Sequence, residues 1–214
     1  MSINVYLVDD HRILRDGLHM LLELQKDIRV IGEAEDGRNA IEGILAAKPD
    51  VALMDITMPE LNGIDATQTI LLKLPQTRII ILSVHSDREH VYRAFQAGAK
   101  GYLLKESAGD EVVRAVRAVY NGRQYISQKL SEVLPPDYAH ELQERSPIEL
   151  LSVREREVLQ LTVEGATSAA IAEKLSLSPK TVDTYRSRLM EKLGVQNLPE
   201  LVRFAIKHGL TPPE

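Results

Sequence analysis

Five short apolar runs rich in branched side chains alternate with amphipathic stretches over the first 120 residues, and this alternation restricts the fold more than any other property of the chain. The runs are Ile3–Val8, Arg29–Glu33, Val51–Met54, Arg78–Ser83 and Gly101–Leu104. Around them, apolar residues return at helical spacing over about 12–24, 38–47, 64–73, 88–97 and 108–119. Strands that alternate with helices of this length predict a parallel sheet with helices on both faces. The unbroken run Ile79-Ile80-Ile81-Leu82 predicts strands buried on both sides. The predicted fold class is therefore α/β, a doubly wound five-stranded parallel domain.

The pattern weakens from Tyr120 to Leu150, where Gly122, Pro135-Pro136 and Ser146-Pro147 interrupt a polar stretch. This segment reads as a linker, with short helical turns at Ser131–Leu134 and Tyr138–Glu144. Beyond it the helix caps are legible. Ser152-x-x-Glu155 forms a capping box for a helix to about Val163, and a second helix spans about Ser168–Leu175. Ser178 caps a third with Pro179 in its first turn, running to Leu193 before Gly194. Asn197-x-x-Glu200 opens a fourth that ends near His208. An all-α four-helix domain with a tight helix-turn-helix is predicted.

Of the 214 residues, none is cysteine, which excludes disulfide frameworks and thiolate metal sites. The N-terminus has no basic segment ahead of an apolar one, and no apolar run reaches membrane-spanning length, so a cytoplasmic protein without a membrane partner is expected. The charge is uneven: residues 1–149 carry 17 basic against 23 acidic side chains, residues 150–214 nine against eight. The first half suits a cation, and the second can meet DNA only through a local basic face.

Asp9-Asp10, Asp55, Ser83 and Lys105 each lie at the end of one of four apolar runs. In a parallel sheet those ends share one edge, where the reactive crevice of such domains lies. Carboxylates held together there repel one another unless a cation lies between them, and Asp9, Asp10 and Asp55 form a hard oxygen set suited to Mg2+. With such a cation, an Asp55 oxygen can attack phosphorus, while Lys105 pairs with a phosphoryl oxygen and Ser83 donates to one. Taken singly, each residue has a plainer reading: Asp10 as a helix cap, Asp55 as a turn residue, Lys105 as a solvated charge, Ser83 as a partner of nearby backbone. Their coincidence on one edge favours the pocket.

The segments Val8-Asp9-Asp10-His11, Met54-Asp55-Ile-Thr-Met58-Pro59 with Gly63, Leu82-Ser83-Val-His85 and Gly98-Ala-Lys-Gly101-Tyr102-Leu-Leu-Lys105 resemble the receiver domain of bacterial two-component response regulators. The resemblance runs from residue 3 to about 120 and implies a flavodoxin-like fold. It implies Asp55 as phosphoacceptor, Asp9, Asp10 and Asp55 around Mg2+, Ser83 as switch hydroxyl, Lys105 as phosphate partner, and Tyr102 as the aromatic that turns inward when the hydroxyl moves. Thr57 and His85 would flank the acyl phosphate and tune access of water. A static Tyr102, half-buried with its hydroxyl in water, is the alternative. Haloacid-dehalogenase-type phosphatases use similar groups, but they resemble a pattern with Asp-x-Asp on the first strand, and here residue 11 is His.

In the second domain, Val182, Leu189 and Leu193 fall on one helical face and Lys180, Asp183, Thr184, Ser187, Arg188 and Glu191 on the other. Leu151-Ser-Val-Arg-Glu-Arg-Glu-Val-Leu159, Ile171-Ala-Glu-Lys-Leu175, Ser178-Pro-Lys-Thr181-Val182, Tyr185 and Lys192-Leu-Gly194-Val are similar to the LuxR-type helix-turn-helix of NarL/FixJ-class regulators. That resemblance implies backbone contacts from Lys180, Thr181, Tyr185 and Arg188, and base-facing positions for Asp183, Thr184 and Ser187. Two departures stand out: Ser168-Ala169-Ala170 where the family often has Asn-Lys-Glu, and Asp183 where a Lys is common. Arg186 compensates only if it turns toward the DNA backbone.

The expected organisation is a receiver over 1–121, a linker over 122–148 and a LuxR-type domain over 149–214. The expected function is a transcriptional regulator that takes a phosphoryl group from a sensor histidine kinase and binds promoter DNA as a homodimer on inverted half-sites, with no catalysis beyond its own phosphorylation and dephosphorylation. The alternative is a regulator with a weak receiver, or one whose helical domain serves protein contacts.

Overall fold

The computed structural model describes residues 2–107, 109–131, 147–208 and 210. The strands are β1 (Ile3–Val8), β2 (Ile28–Ala34), β3 (Val51–Asp55), β4 (Arg78–Ser83), β5 (Gly101–Leu104) and β6 (Tyr125–Ile126). The helices of this half are α1 (Arg12–Glu23), α2 (Gly37–Ala47), α3 (Gly63–Lys73), α4 (Arg88–Gln96), α5 (Gly109–Tyr120) and the short α6 (Gln128–Ser131). All strands run parallel in the order β2-β1-β3-β4-β5-β6. The order reverses between β1 and β3, which opens a crevice at their carboxyl ends.

Alternate residues of the strands feed two cores. Tyr6, Val8, Ala52, Met54, Ile79, Ile81, Tyr102 and Leu104 pack with α2, α3 and α4, whereas Val5, Leu7, Val51, Leu53, Ile80, Leu82 and Leu103 pack with α1 and α5. Burial on both faces explains why the strands read as continuous apolar runs.

The sixth strand lies where a linker was expected. Tyr125 and Ile126 pair with Gly101 and Tyr102, Ser127 N–H donates to the Tyr102 carbonyl at 2.9 Å, and Leu130 of α6 joins the first core. Two residues are too few to show a strand period, so only the tertiary partner reveals this one. The helical turns expected at Ser131–Leu134 and Tyr138–Glu144 lie, apart from Ser131 at the end of α6, outside the described residues.

A 3-10 turn at Pro147–Leu150 leads into α7 (Val153–Val163), α8 (Ser168–Leu175), α9 (Pro179–Leu193) and α10 (Leu198–Lys207). Ile148, placed in the linker by sequence, is buried with Leu151, Leu159, Ile171, Leu175, Val182, Leu189 and Leu201. The caps are as read: the Ser152–Glu155 box is closed in both directions, Ser178 accepts from Thr181 N–H, and Asn197 accepts from Glu200 N–H. Gly194 ends α9 with φ +66°, a left-handed value that glycine adopts without strain.

Candidate functional site

Strand register brings the expected pocket together. Val8 pairs with Met54, Asp55 with Leu82 and Ser83 with Leu104, so Asp9, Asp55, Ser83 and Lys105 emerge along one edge. Asp9, Asp55 and Ser83 are buried, and the Lys105 side chain is 12% exposed. Lys105 Nζ lies 2.7 Å from Asp55 Oδ2 and 2.9 Å from Asp9 Oδ2. The second contact is an ion pair, and Asp9 Oδ2 has no partner besides Lys105. Asp9 Oδ1 accepts from His11 N–H at 2.8 Å, and Asp10 Oδ1 meets His11 Nδ1 at 2.7 Å. Asp10 does not cap α1, whose N-cap is His11.

Gly63, the first residue of α3, has a steric reason to be glycine. A Cβ there would stand 1.8 Å from the Asp55 carbonyl oxygen, so only a bare backbone lets α3 begin against the end of β3.

The electrostatics leave the pocket short of positive charge. Burial pushes the Asp55 carboxyl up to about 7, Asp9 and Asp10 push in the same direction, and Lys105 opposes them. At Lys105 burial favours the neutral amine, but Asp55 and Asp9 outweigh it and hold the ammonium above its ordinary value. One ammonium faces three carboxylates. Oxygens of Asp9, Asp10 and Asp55 lie with His11 within 4.8 Å of one another, and Asp9 Oδ2 has Lys105 as its one partner, a set that fits a hard divalent cation such as Mg2+.

The switch pair meets through a residue that sequence reading gave only a flanking role. Ser83 Oγ accepts from the His85 N–H at 3.0 Å, and the Tyr102 hydroxyl donates to the His85 carbonyl at 2.8 Å. Tyr102 is fully buried, which overturns the alternative of a half-buried ring with its hydroxyl in water. The His85 ring stands 3.3 Å from Thr57 Oγ1, beside the pocket as expected.

On α9, Lys180, Asp183, Thr184, Ser187 and Arg188 are exposed, while Thr181 and Tyr185 are half-buried. Thr184 and Ser187 return their hydroxyls to the Lys180 and Asp183 carbonyls, and Thr181 Oγ1 shares a hydrogen bond with Ser178 Oγ. The two departures from the family pattern touch: Ser168 Oγ donates to Asp183 Oδ1 at 2.7 Å and accepts from Arg186 Nη1 at 3.2 Å. Arg186 therefore turns toward the start of α8.

Residues 5–117 match the family model of the response regulator receiver domain, and residues 149–205 match that of the bacterial regulatory proteins of the luxR family. The chain is a two-component response regulator. It is 40% identical over 212 residues to the response regulator UvrY of Escherichia coli strain K12, covering 99% of this chain and 97% of that protein. It is 37% identical to the oxygen regulatory protein NreC of Staphylococcus epidermidis, over 97% of this chain and 99% of that one. Among solved structures, the Salmonella typhimurium response regulator RcsB matches with a TM-score of 0.59 at 29% identity, over 95% of this chain and 97% of that chain. An RcsB–DNA complex matches at 0.61 and 27%, over 97% of this chain and 99% of that chain.

This response regulator is a phosphorylation-dependent, DNA-binding transcriptional regulator, and its chemistry is confined to its own aspartate. The phosphatase alternative falls with that membership. No helix among the described residues is long and apolar enough to cross a membrane.

Sequence reading missed the seam between the regulator's two halves. Gln160 of α7 is fully buried, and its amide donates to the Met58 carbonyl at 2.7 Å and accepts from Asn62 N–H at 2.8 Å. Arg156 Nε meets Asp65 Oδ1 at 2.6 Å, and Glu164 accepts from Glu60 N–H at 2.9 Å. At the far end Arg93 donates to the His208 carbonyl at 2.9 Å, and His208 Nδ1 meets Glu89 Oε1 at 2.6 Å. Gln160 and Arg156 sit among ordinary helix polar residues in the sequence, and only their partners, some 90 to 100 positions away, distinguish them.

Proposed function

We propose that Asp55 is the phosphoacceptor of this regulator, and that Asp9 and Asp10 join it in holding Mg2+. When bound, Mg2+ neutralises charge between the carboxylates and the incoming phosphoryl oxygens. One Asp55 oxygen forms the new P–O bond as the P–N bond of a phosphohistidine on a sensor kinase breaks. Lys105, already 2.7 Å from Asp55, pairs with the transferred group, and Ser83 leaves the His85 N–H to donate to it. Because Tyr102 holds the same residue through its carbonyl, movement of Ser83 reaches Tyr102 through one peptide unit.

The output half reads promoter DNA through α9. Lys180, Thr181, Tyr185 and Arg188 contact phosphates, while Asp183, Thr184 and Ser187 face bases, and the regulator acts as a homodimer on inverted half-sites in the cytoplasm. We divide the chain into a receiver over 1–121 and a LuxR-type domain over 149–214, with β6 and α6 extending the receiver side.

The buried contact of Lys105 with both Asp55 and Asp9 carries this reading. Its test is acyl-phosphate formation from a small phosphodonor with Mg2+: wild type labels and Asp55→Asn does not. Equal labelling of the two would remove Asp55 from the mechanism.

A further inference from the structure

Beyond the acidic pocket, the turn from β4 into α4 carries a second group of metal-ligating side chains. We propose that His85, Asp87 and His90 form a separate cation site that takes a borderline divalent transition metal of the Zn2+, Co2+ or Ni2+ class. Ligand atoms of the three lie within 4.8 Å of one another. They follow the spacing His-x-Asp-x-x-His, which places the first ligand in the turn, the second at the N-cap of α4 and the third in its first turn.

Helix capping accounts for only part of the arrangement. Asp87 caps α4 by accepting from His90 N–H, and its two oxygens also lie 2.8 and 2.7 Å from His90 Nδ1. Capping does not require a second imidazole, yet His85 is laid against His90 with ring centroids 4.1 Å apart and planes 6° from parallel. Nor does it serve His90 Nε2, which is buried without a hydrogen-bond partner.

The donor chemistry differs in kind from that of the acidic pocket. Two imidazoles and one carboxylate suit zinc-class metals, whereas the acidic pocket offers three carboxylates and a single imidazole, His11, a mainly oxygen set suited to Mg2+. Burial and the neighbouring His90 hold His85 below the ordinary histidine value, which keeps its ring unprotonated at neutral pH. At Asp87 partial burial works against the charge, but the hydrogen bonds from His90 outweigh it and hold the carboxyl at about 2. Arg93 is the cation that opposes charge at His85. Parallel rings 4.1 Å apart cannot both aim an in-plane lone pair at one ion, so capture requires one ring to turn. His85, in the turn, swings away from Thr57 while Asp87 and His90 stay on α4. Coordination then acts on the residue whose N–H and carbonyl hold Ser83 and Tyr102, placing metal occupancy in direct contact with the switch.

The test uses the full-length chain with saturating Mg2+, titrated with Co2+ and followed by the visible d–d absorption of histidine-bound cobalt, with Zn2+ as competitor. One equivalent binds to wild type. His85→Gln, Asp87→Asn and His90→Gln each weaken binding by at least about tenfold, and Asp16→Asn, at an exposed carboxylate outside both sites, leaves it unchanged. Because His90 is buried, far-ultraviolet circular dichroism accompanies that variant, and the other two carry the test if it fails to fold. The proposal is overturned if wild type shows no such band, or if His85→Gln and Asp87→Asn bind as wild type does. None of these readouts depends on whether Asp55 is phosphorylated.

Discussion

At the scale of single residues, the controlling quantity is the charge that Asp55 must carry in a buried place. Its carboxyl rises from 3.8 to about 7, so between those values the folded chain keeps a proton that the unfolded chain has released. The contribution of this group to stability therefore falls as pH rises through that window, and the ionised pocket is the less stable form above it. Every tenfold weakening of an acid on folding corresponds to about 1.4 kcal/mol. Without divalent ions, wild type loses stability between about pH 4 and about pH 7 relative to Asp55→Asn, whose melting is flatter across that range. Saturating Mg2+ restores much of the difference by binding the folded form alone. Parallel thermal melts check this, and identical pH profiles for the two proteins contradict it. The positions of Asp9, Asp55, Ser83 and Lys105 were legible in the sequence because each terminates an apolar run. The sharing of Lys105 between Asp9 and Asp55 was not, since an interatomic distance across three strands has no trace in sequence.

At the scale of elements, what could be read depended on whether the determining signal was local. The caps of α7, α9 and α10 lie within four residues of the groups they serve, and sequence located them; β6 depends on Gly101 and Tyr102, more than twenty residues away, and sequence missed it. The Ser168–Asp183 contact is of the second kind. It joins two positions that looked like separate losses of cationic character and holds one oxygen of the exposed Asp183 at the start of α8. A carboxylate fixed in this way accepts from a base amino group and disfavours nearby phosphate. Asp183→Asn is expected to relax preference at one base position by about 1–3 kcal/mol and to strengthen non-specific binding. Selection from random DNA measures it; the same preferred half-site with the same stringency would show that Asp183 does not read a base.

At the scale of the whole molecule, the two halves meet through α7, Lys174 of α8 and the end of α10, and the outward side chains of α9 stay exposed. The buried amide of Gln160 matters most, because Gln160→Ala leaves the Met58 carbonyl and Asn62 N–H without partners. Each buried group so stranded costs about 1–3 kcal/mol. The variant is expected to separate the halves, with a larger radius of gyration in small-angle scattering and faster proteolytic cleavage between residues 121 and 147, while each half keeps its own melting transition. Unchanged scattering would mean that Gln160 does not hold the seam.

Gln160 grips main chain and no side chain of the receiver: one carbonyl and one N–H of the loop that leaves Asp55. Such a grip is indifferent to which amino acids the loop carries and sensitive only to its course. Substitutions along Met58–Asn62 that preserve the path leave this grip intact, whereas Glu60 is tied by its side chain as well, its carboxylate pairing with Lys174 of α8. The joint behaves as a gauge of backbone shape, placed three residues past the aspartate.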